Sequence, residues 1–287
     1  MKQKIVLFGY PLSHSISPKF QQAALDHFAL DISYLGQPAA PDSLESAIEM
    51  LRSEDYLGAN VTIPHKESVV ELLDDLDTWA KTIGAVNTIV KNGTRLLGHN
   101  TDGYGLLKSL EDKAGMDLHG IKVLILGSGG AARAAAFALA KRKTDTLIIA
   151  NRTIDRAKSL ADAMENQLNT VKSISLTDAH KVSKDSDLII NATSIGMQHG
   201  PGEGTSPLDS RHINSESLVF DMVYTPSETP LMIEAKNAGA KVLGGLWMLI
   251  FQGAAAFEMW TSKPAPINVM YEAGLRALAE RDASNET

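Results

Sequence analysis

Apolar residues follow two rhythms along this chain, short continuous runs and helix-period repeats, and the two alternate. In the first part, the runs at 4–8, 33–35 and 59–63 have the length and β-branched content of buried strands, while 18–28 and 43–52 repeat apolar residues at helical spacing. A second alternation starts at Ile121, with strand-like runs at 121–126, 146–150, 187–191 and 218–220 and helical stretches at 131–141 and 154–164. Such alternation predicts α/β architecture, each part a largely parallel sheet covered by helices. Residues 102–113 read as a connecting helix ended by Ala114-Gly115, which sets a boundary near Tyr104.

After Gly239 the pattern is helical, through 246–260 and 267–278. A terminal segment this apolar must bury its surface, and packing back on the first domain would tie the chain together. The expected division is therefore 1–103, with 239–287 returning to it, and 104–238. No internal repeat is present. The tail 282–287 reads as frayed, and the Gly- and Pro-rich stretch 196–207 as a mobile loop.

Composition narrows the chemistry. The 287 residues are 44% hydrophobic and 21% charged, an ordinary globular balance whose length suits two domains. Without cysteine there is no disulfide, thiolate nucleophile or Cys-ligated zinc, and a reducing compartment is expected. Lys and Arg number 27 against 34 Asp and Glu, so the net charge of −7 has the wrong sign for a nucleic-acid partner. The opening Met1-Lys2-Gln3-Lys4-Ile5-Val6-Leu7-Phe8-Gly9 is too short in apolar residues for a signal peptide, which predicts a cytoplasmic location. Residues 243–260 approach a membrane span in length, but Gln252, Glu258 and several glycines interrupt them, so a buried helix and no membrane partner are expected. The histidines show no metal-ligand spacing, and no metal is expected.

The sharpest local motif is the apolar run ending at Leu126 and entering Gly127-Ser128-Gly129-Gly130-Ala131-Ala132. Gly127 permits a tight turn, Gly129 lets backbone N–H groups approach a pyrophosphate, and Ala132 allows close helix–strand packing. The next strand ends at Asn151-Arg152-Thr153, with Arg156 a turn later. An NAD site would carry a carboxylate there for the ribose 2′-hydroxyl, whereas these donors and positive charges suit a 2′-phosphate, which favours NADP. The competing reading makes Arg152 and Arg156 ordinary surface charges.

Four polar clusters punctuate the first domain: Ser13-His14-Ser15-Ile16-Ser17-Pro18, Asn60-Val61-Thr62-Ile63-Pro64-His65-Lys66, Gly84-Ala85-Val86-Asn87-Thr88 and Asn100-Thr101-Asp102-Gly103. In a parallel sheet they can converge at one edge. Taken singly, Ser17 and Asp102 also read as helix caps and Lys66 as a surface lysine. A carbonyl reduced by hydride needs a proton donor, and a lysine beside a carboxylate meets that need.

These segments, with Asn191-Ala192-Thr193-Ser194-Ile195-Gly196-Met197, Asp221-Met222-Val223-Tyr224-Thr225-Pro226 and Gly245-Leu246-Trp247-Met248-Leu249-Ile250-Phe251-Gln252-Gly253, resemble the shikimate dehydrogenase family, in the family's order and over nearly the whole chain. The resemblance implies an N-terminal α/β substrate domain, a Rossmann-like NADP domain, and NADPH-dependent, reversible reduction of 3-dehydroshikimate to shikimate on the route to chorismate and the aromatic amino acids. Lys66 and Asp102 match the family's catalytic pair, with Lys66 as proton donor in reduction and base in oxidation. Ser15 and Ser17 match hydroxyls that hold the substrate carboxylate; Thr62, Asn87 and Gln252 match residues that hold ring hydroxyls. The cofactor side carries over as Gly127, Ser128, Gly129, Gly130, Ala131, Asn151, Arg152, Thr153 and Arg156. Met222, Tyr224 and Gly245 flank the nicotinamide, Tyr224 reaching the substrate as well. The implied partner is a small molecule, with the chain a monomer or homodimer.

Three positions bear on that resemblance. Gln21-Gln22 replace a usual His-Asn pair, His65 stands beside Lys66 where a charge would perturb it, and no acidic residue stands near Asn151 as it commonly does in quinate/shikimate dehydrogenases. A quinate/shikimate dehydrogenase of broad specificity and a non-catalytic NADP-binding sensor are the alternatives.

Overall fold

The computed structural model describes the backbone of residues 3–12, 15–200 and 202–285, and side chains through Arg281. Ser13, His14 and Pro201, singled out above within motifs and a loop, lie outside that range. In chain order the elements begin β1 (Gln3–Gly9), α1 (Ser17–His27), β2 (Ile32–Pro38), α2 (Leu44–Met50), β3 (Tyr56–Val61), β4 (Asp75–Leu76), α3 (Thr78–Ile83), β5 (Thr88–Asn92), β6 (Arg95–His99) and α4 (Asp102–Lys108). They continue as β7 (Lys122–Leu126), α5 (Gly130–Lys141), β8 (Thr146–Asn151), α6 (Ile154–Met164), β9 (Thr170–Ser175), β10 (Leu188–Asn191), β11 (Leu218–Asp221), α7 (Pro230–Asn237), β12 (Lys241–Gly244), α8 (Leu246–Thr261) and α9 (Ile267–Asn285). Two compact units result, Met1–Gly105 with Leu249–Thr287, and Leu106–Met248.

The first unit holds a six-stranded sheet in the order β2-β1-β3-β5-β6-β4. It is mixed rather than largely parallel: β1 pairs parallel with β2 and β3, but β5 runs antiparallel to both β3 and β6. The cause is local. Asn92 pairs with Arg95 across a two-residue connection whose Gly93 has φ 62°, and so short a link can only reverse the strand.

Helix α1 buries Ser17, Phe20, Gln21, Ala24 and Leu25, the i, i+3, i+4, i+7, i+8 face of an amphipathic helix. Fully burying Phe20 or Leu25 contributes roughly 1.5–3 kcal/mol each. Against α1 the last helices pack: α9 lies alongside it, Phe257 of α8 stacks on Phe28 at 6.0 Å, and a Cβ on Gly253 would meet the Phe20 ring at 2.6 Å. Trp260 Nε1 donates to the Ile89 carbonyl at 2.9 Å, over Gly58, where a Cβ would lie 2.2 Å from the same oxygen. The return of the terminal helices to the first unit follows the sequence expectation. Helix α9 runs to Asn285, beyond Leu278, through part of the segment read as frayed.

The second unit is a six-stranded parallel sheet in the order β12-β11-β10-β7-β8-β9, a doubly wound arrangement whose strand order reverses between β7 and β10. Residues of α4 from Leu106 lead into it and continue as a π-helical turn, Ser109–Lys113. Sequence reading begins the return at Gly239, but β12 pairs with β11, which keeps the segment through Met248 in this unit. The 196–207 stretch folds on itself, Gly196 N–H and Thr205 N–H both donating to the Gly202 carbonyl.

Candidate active site

In the first unit, polar side chains from five separate segments meet in the interior. Lys66, on the turn after β3, donates from Nζ to Asp102 Oδ2 at 2.6 Å; the two side chains are 17% and 5% exposed. Asp102 opens α4, but its carboxylate does not serve as a simple cap: Oδ1 accepts from Asn87 Nδ2 at 2.9 Å. An ion pair this buried has value only when its remaining lone pairs are satisfied, and Asn87 supplies that bond.

The orientation of Asn87 is fixed by a donor that cannot be reassigned, the Thr101 backbone N–H, which reaches Oδ1 at 2.8 Å. Thr88 and Thr101 hydroxyls also donate to Oδ1, at 3.1 and 3.2 Å. The amide nitrogen therefore faces Asp102 and, at 3.0 Å, Gln252 Oε1 from α8. Behind this layer Asn60 donates to Thr88 Oγ1 at 3.1 Å and accepts from Tyr34 OH at 2.7 Å. Burial pushes the Tyr34 phenol well above its ordinary value, so it stays a neutral donor.

Ser15 and Ser17 stand together before and at the start of α1, Ser15 Oγ accepting from Ser17 N–H at 3.3 Å. The cap of α1 is Ile16 with no side-chain bond, so Ser17 is buried without capping the helix. Thr62 is half-buried, and its methyl lies 2.4 Å from where a Gly9 Cβ would stand. No hydrogen bond joins Ser15, Ser17 or the Thr62 side chain to the Lys66 network among the described residues. The other sequence departures have local explanations. Buried Gln21 donates to the Gly253 carbonyl at 2.9 Å, while Gln22 bonds Asp26, the Ile32 carbonyl and Tyr34 N–H, fastening α1 to β2. The His65 ring is buried with Nε2 2.7 Å from the Ala39 carbonyl, so that nitrogen is engaged there and not with Lys66.

In the second unit, Gly127 follows β7 at φ 112°, and a Cβ there would lie 2.9 Å from the Ala192 carbonyl oxygen. Gly129 caps α5 without a side-chain bond, and a Cβ on it would meet nothing within 4 Å. Ser128 Oγ is buried and has no hydrogen-bond partner among the described residues. An uncapped helix N-terminus, an open glycine and an orphaned hydroxyl fit a dinucleotide pyrophosphate. At the end of β8, Asn151 Nδ2 bonds the Thr153 carbonyl, and Arg152, Thr153 and Arg156 are exposed beside it. Met222 and Tyr224 are half-buried on the loop after β11, and Gly245 is buried where a Cβ would stand 2.3 Å from the Met222 carbonyl oxygen.

Asn60, Thr88 and Thr101, members of the polar clusters expected to converge but given no individual role, complete the Lys66 network together with Tyr34, which lies outside those clusters. Asn60 carried a signal, an amide between Ala59 and Val61 inside an apolar strand. Tyr34 carried none, since an aromatic in a strand reads as core.

The doubly wound sheet with its open glycine turn makes this a dinucleotide-binding α/β protein. Its sequence matches the family models described as shikimate dehydrogenase substrate binding domain over residues 7–89, shikimate / quinate 5-dehydrogenase over 109–222, and shikimate 5'-dehydrogenase C-terminal domain over 245–273. It is 42% identical over 276 residues to shikimate dehydrogenase (NADP(+)) of Methanopyrus kandleri, covering 95% of this chain and 94% of that one. The corresponding protein of Moorella thermoacetica is 43% identical over 93% of this chain and 90% of its own. The crystal structure of the Thermus thermophilus shikimate 5-dehydrogenase in complex with NADP(H) and shikimate is similar at TM-score 0.86 and 35% identity, over 96% of this chain and 100% of that one. The chain belongs to the shikimate dehydrogenase family. Among the described residues no helix is long and apolar enough to cross a membrane.

Proposed function

We propose that this protein catalyses the NADPH-dependent, reversible reduction of 3-dehydroshikimate to shikimate. The observation that carries the reading is the buried Lys66–Asp102 pair, closed at 2.6 Å and braced by Asn87. When bound, NADPH supplies the hydride. Lys66 Nζ donates a proton to the oxygen of the carbonyl being reduced, and takes it back in the oxidative direction. Asp102 holds the Lys66 ammonium in place, and Asn87 holds Asp102. Ser15 and Ser17 donate to the substrate carboxylate, while Thr62, Asn87 and Gln252 hold ring hydroxyls, each able to donate and accept.

On the cofactor side, the turn Gly127, Ser128, Gly129, Gly130 and Ala131 receives the pyrophosphate, and Asn151, Arg152, Thr153 and Arg156 receive the 2′-phosphate. Met222, Tyr224 and Gly245 flank the nicotinamide. Both ligands are anionic and the net charge is −7, so Lys66, Arg152 and Arg156 must reverse the sign locally.

The test follows absorbance at the reduced-nicotinamide band with 3-dehydroshikimate and NADPH, then shikimate or quinate with NADP⁺ or NAD⁺. Turnover of shikimate with NADP⁺, well above quinate with either cofactor, is expected. Absence of turnover with 3-dehydroshikimate and NADPH would overturn the reading.

A further inference from the structure

Asp221, the last residue of β11, has no exposed surface, and its three hydrogen-bond partners among the described residues are all neutral donors. Oδ1 accepts from Asn191 Nδ2 at 2.9 Å and from Val223 N–H at 3.0 Å; Oδ2 accepts from Thr229 Oγ1 at 2.6 Å. Burial pushes the carboxyl up to about 6 against the pull of those donors. A carboxylate is the one side-chain group that accepts from three donors while presenting none of its own, so the arrangement calls for that group despite the desolvation it costs.

The three partners are the points where flanking segments leave the sheet. Asn191 ends β10 and folds the following turn, its Oδ1 accepting from Thr193 N–H at 3.1 Å and Thr193 Oγ1 at 2.6 Å. Thr229 caps α7, accepting from Met232 N–H at 3.2 Å. Val223 lies between Met222 and Tyr224. Met222 is held from two further sides: its N–H donates to the Asn191 carbonyl at 3.0 Å, and its own carbonyl packs on Gly245, where no Cβ would fit. Asp221 therefore joins the ends of two strands to the start of a helix around one short loop.

We infer that Asp221 is a positioning residue which, with Asn191 and Thr229, fixes the Met222–Tyr224 backbone and so preforms the surface for the nicotinamide ring. The inference rests on the proposed contact of Met222 and Tyr224 with that ring. Its energetic meaning is preorganisation: the loop is ordered before the cofactor arrives, so binding does not have to order it.

The test compares Thr229→Val, which keeps the volume and removes the donor, with Thr229→Ser, which keeps the donor, and with Asp221→Asn. Dissociation constants are measured by fluorescence for NADPH and for adenosine 2′,5′-bisphosphate, which lacks the nicotinamide. Thr229→Val and Asp221→Asn are expected to weaken NADPH about tenfold, with the bisphosphate near wild type, and Thr229→Ser to restore NADPH binding. Should Asp221→Asn fail to fold, the two Thr229 variants decide alone. Unchanged NADPH binding in Thr229→Val, or equal loss for both ligands, would refute the positioning role. Met222→Ala separates the two layers of argument: if it weakens NADPH while Thr229→Val does not, the clasp is wrong and the contact stands. If neither variant affects NADPH, the contact itself is wrong, and the clasp inference goes with it.

Discussion

The buried carboxyl of Asp221 makes the second unit's stability depend on pH in an unusual direction. Most carboxylates are stabilised by folding, but burial raises this one from 3.8 to about 6, so the native state prefers it protonated. Its contribution is fully present below pH 3.8 and is lost as pH rises through about 6. The whole difference is about 3 kcal/mol at 1.36 kcal/mol per unit, and between pH 4.5 and 7.5 about 2 kcal/mol of it disappears. Asp221→Asn abolishes this titration while leaving every other titratable side chain unaltered. Hydrogen–deuterium exchange of the β10 and β11 amides reports the opening free energy of this unit, and comparing wild type with variant at each pH cancels the intrinsic exchange rates. The variant is expected to gain on the wild type by about 2 kcal/mol from pH 4.5 to 7.5. Parallel profiles, or a wild type that gains on the variant as pH rises, would refute the argument.

Three further outcomes follow from the geometry. Lys66→Ala should lower kcat by about 10²- to 10⁴-fold with KM for shikimate near wild type, and an unaltered kcat would remove Lys66 from proton transfer. Arg152→Ala should weaken NADPH by about 10- to 100-fold, the worth of a charge-assisted bond, and leave NADH nearly unchanged; equal losses contradict a 2′-phosphate contact. Gly253→Ala places a methyl 2.6 Å from the Phe20 ring, an overpacking expected to cost about 1–3 kcal/mol in thermal or urea unfolding; a variant as stable as wild type shows that α8 can shift off α1.

The elements that sequence reading located are those whose pattern is self-contained. The strands around Ile5, Val61, Leu124 and Ile189 are apolar runs buried on both faces, and the turn at Gly127 declares itself through glycines at fixed spacing. Among the elements that escaped, which also include β5, β6, α3 and α7, three have weak local patterns. β9 is a half-exposed edge strand, β12 is only Lys241–Gly244, and β4 is the pair Asp75–Leu76. The mixed character of the first sheet turned on Asn92-Gly93, a hairpin signal that outweighs the general βα alternation once strands lie on both sides of it. Within the site, the residue types of Lys66, Asn87, Asp102 and Gln252 were legible as chemistry. Their joining was not, because the bond from Asn87 to Gln252 crosses 165 positions of sequence. Asp221 and Thr229 were least visible, since a carboxylate at a strand end reads as a turn residue until its burial is known.

The first unit is assembled from both ends of the chain, and this has a consequence for synthesis. Residues through Gly105 leave the ribosome first, yet the surface of α1 that receives α9 and the Gly253 crossing belongs to a unit completed only by residues from Leu249 onward. The continuous stretch Leu106–Met248 carries its whole parallel sheet and is the first part able to close its core. The segment through Gly105 therefore waits for the one from Leu249 onward, with β3, which bears Asn60, and the turns that carry Lys66 and Asn87 under-packed in the interval. The nascent chain is thus open to chaperones and proteases at the place where its candidate catalytic groups will later be sealed.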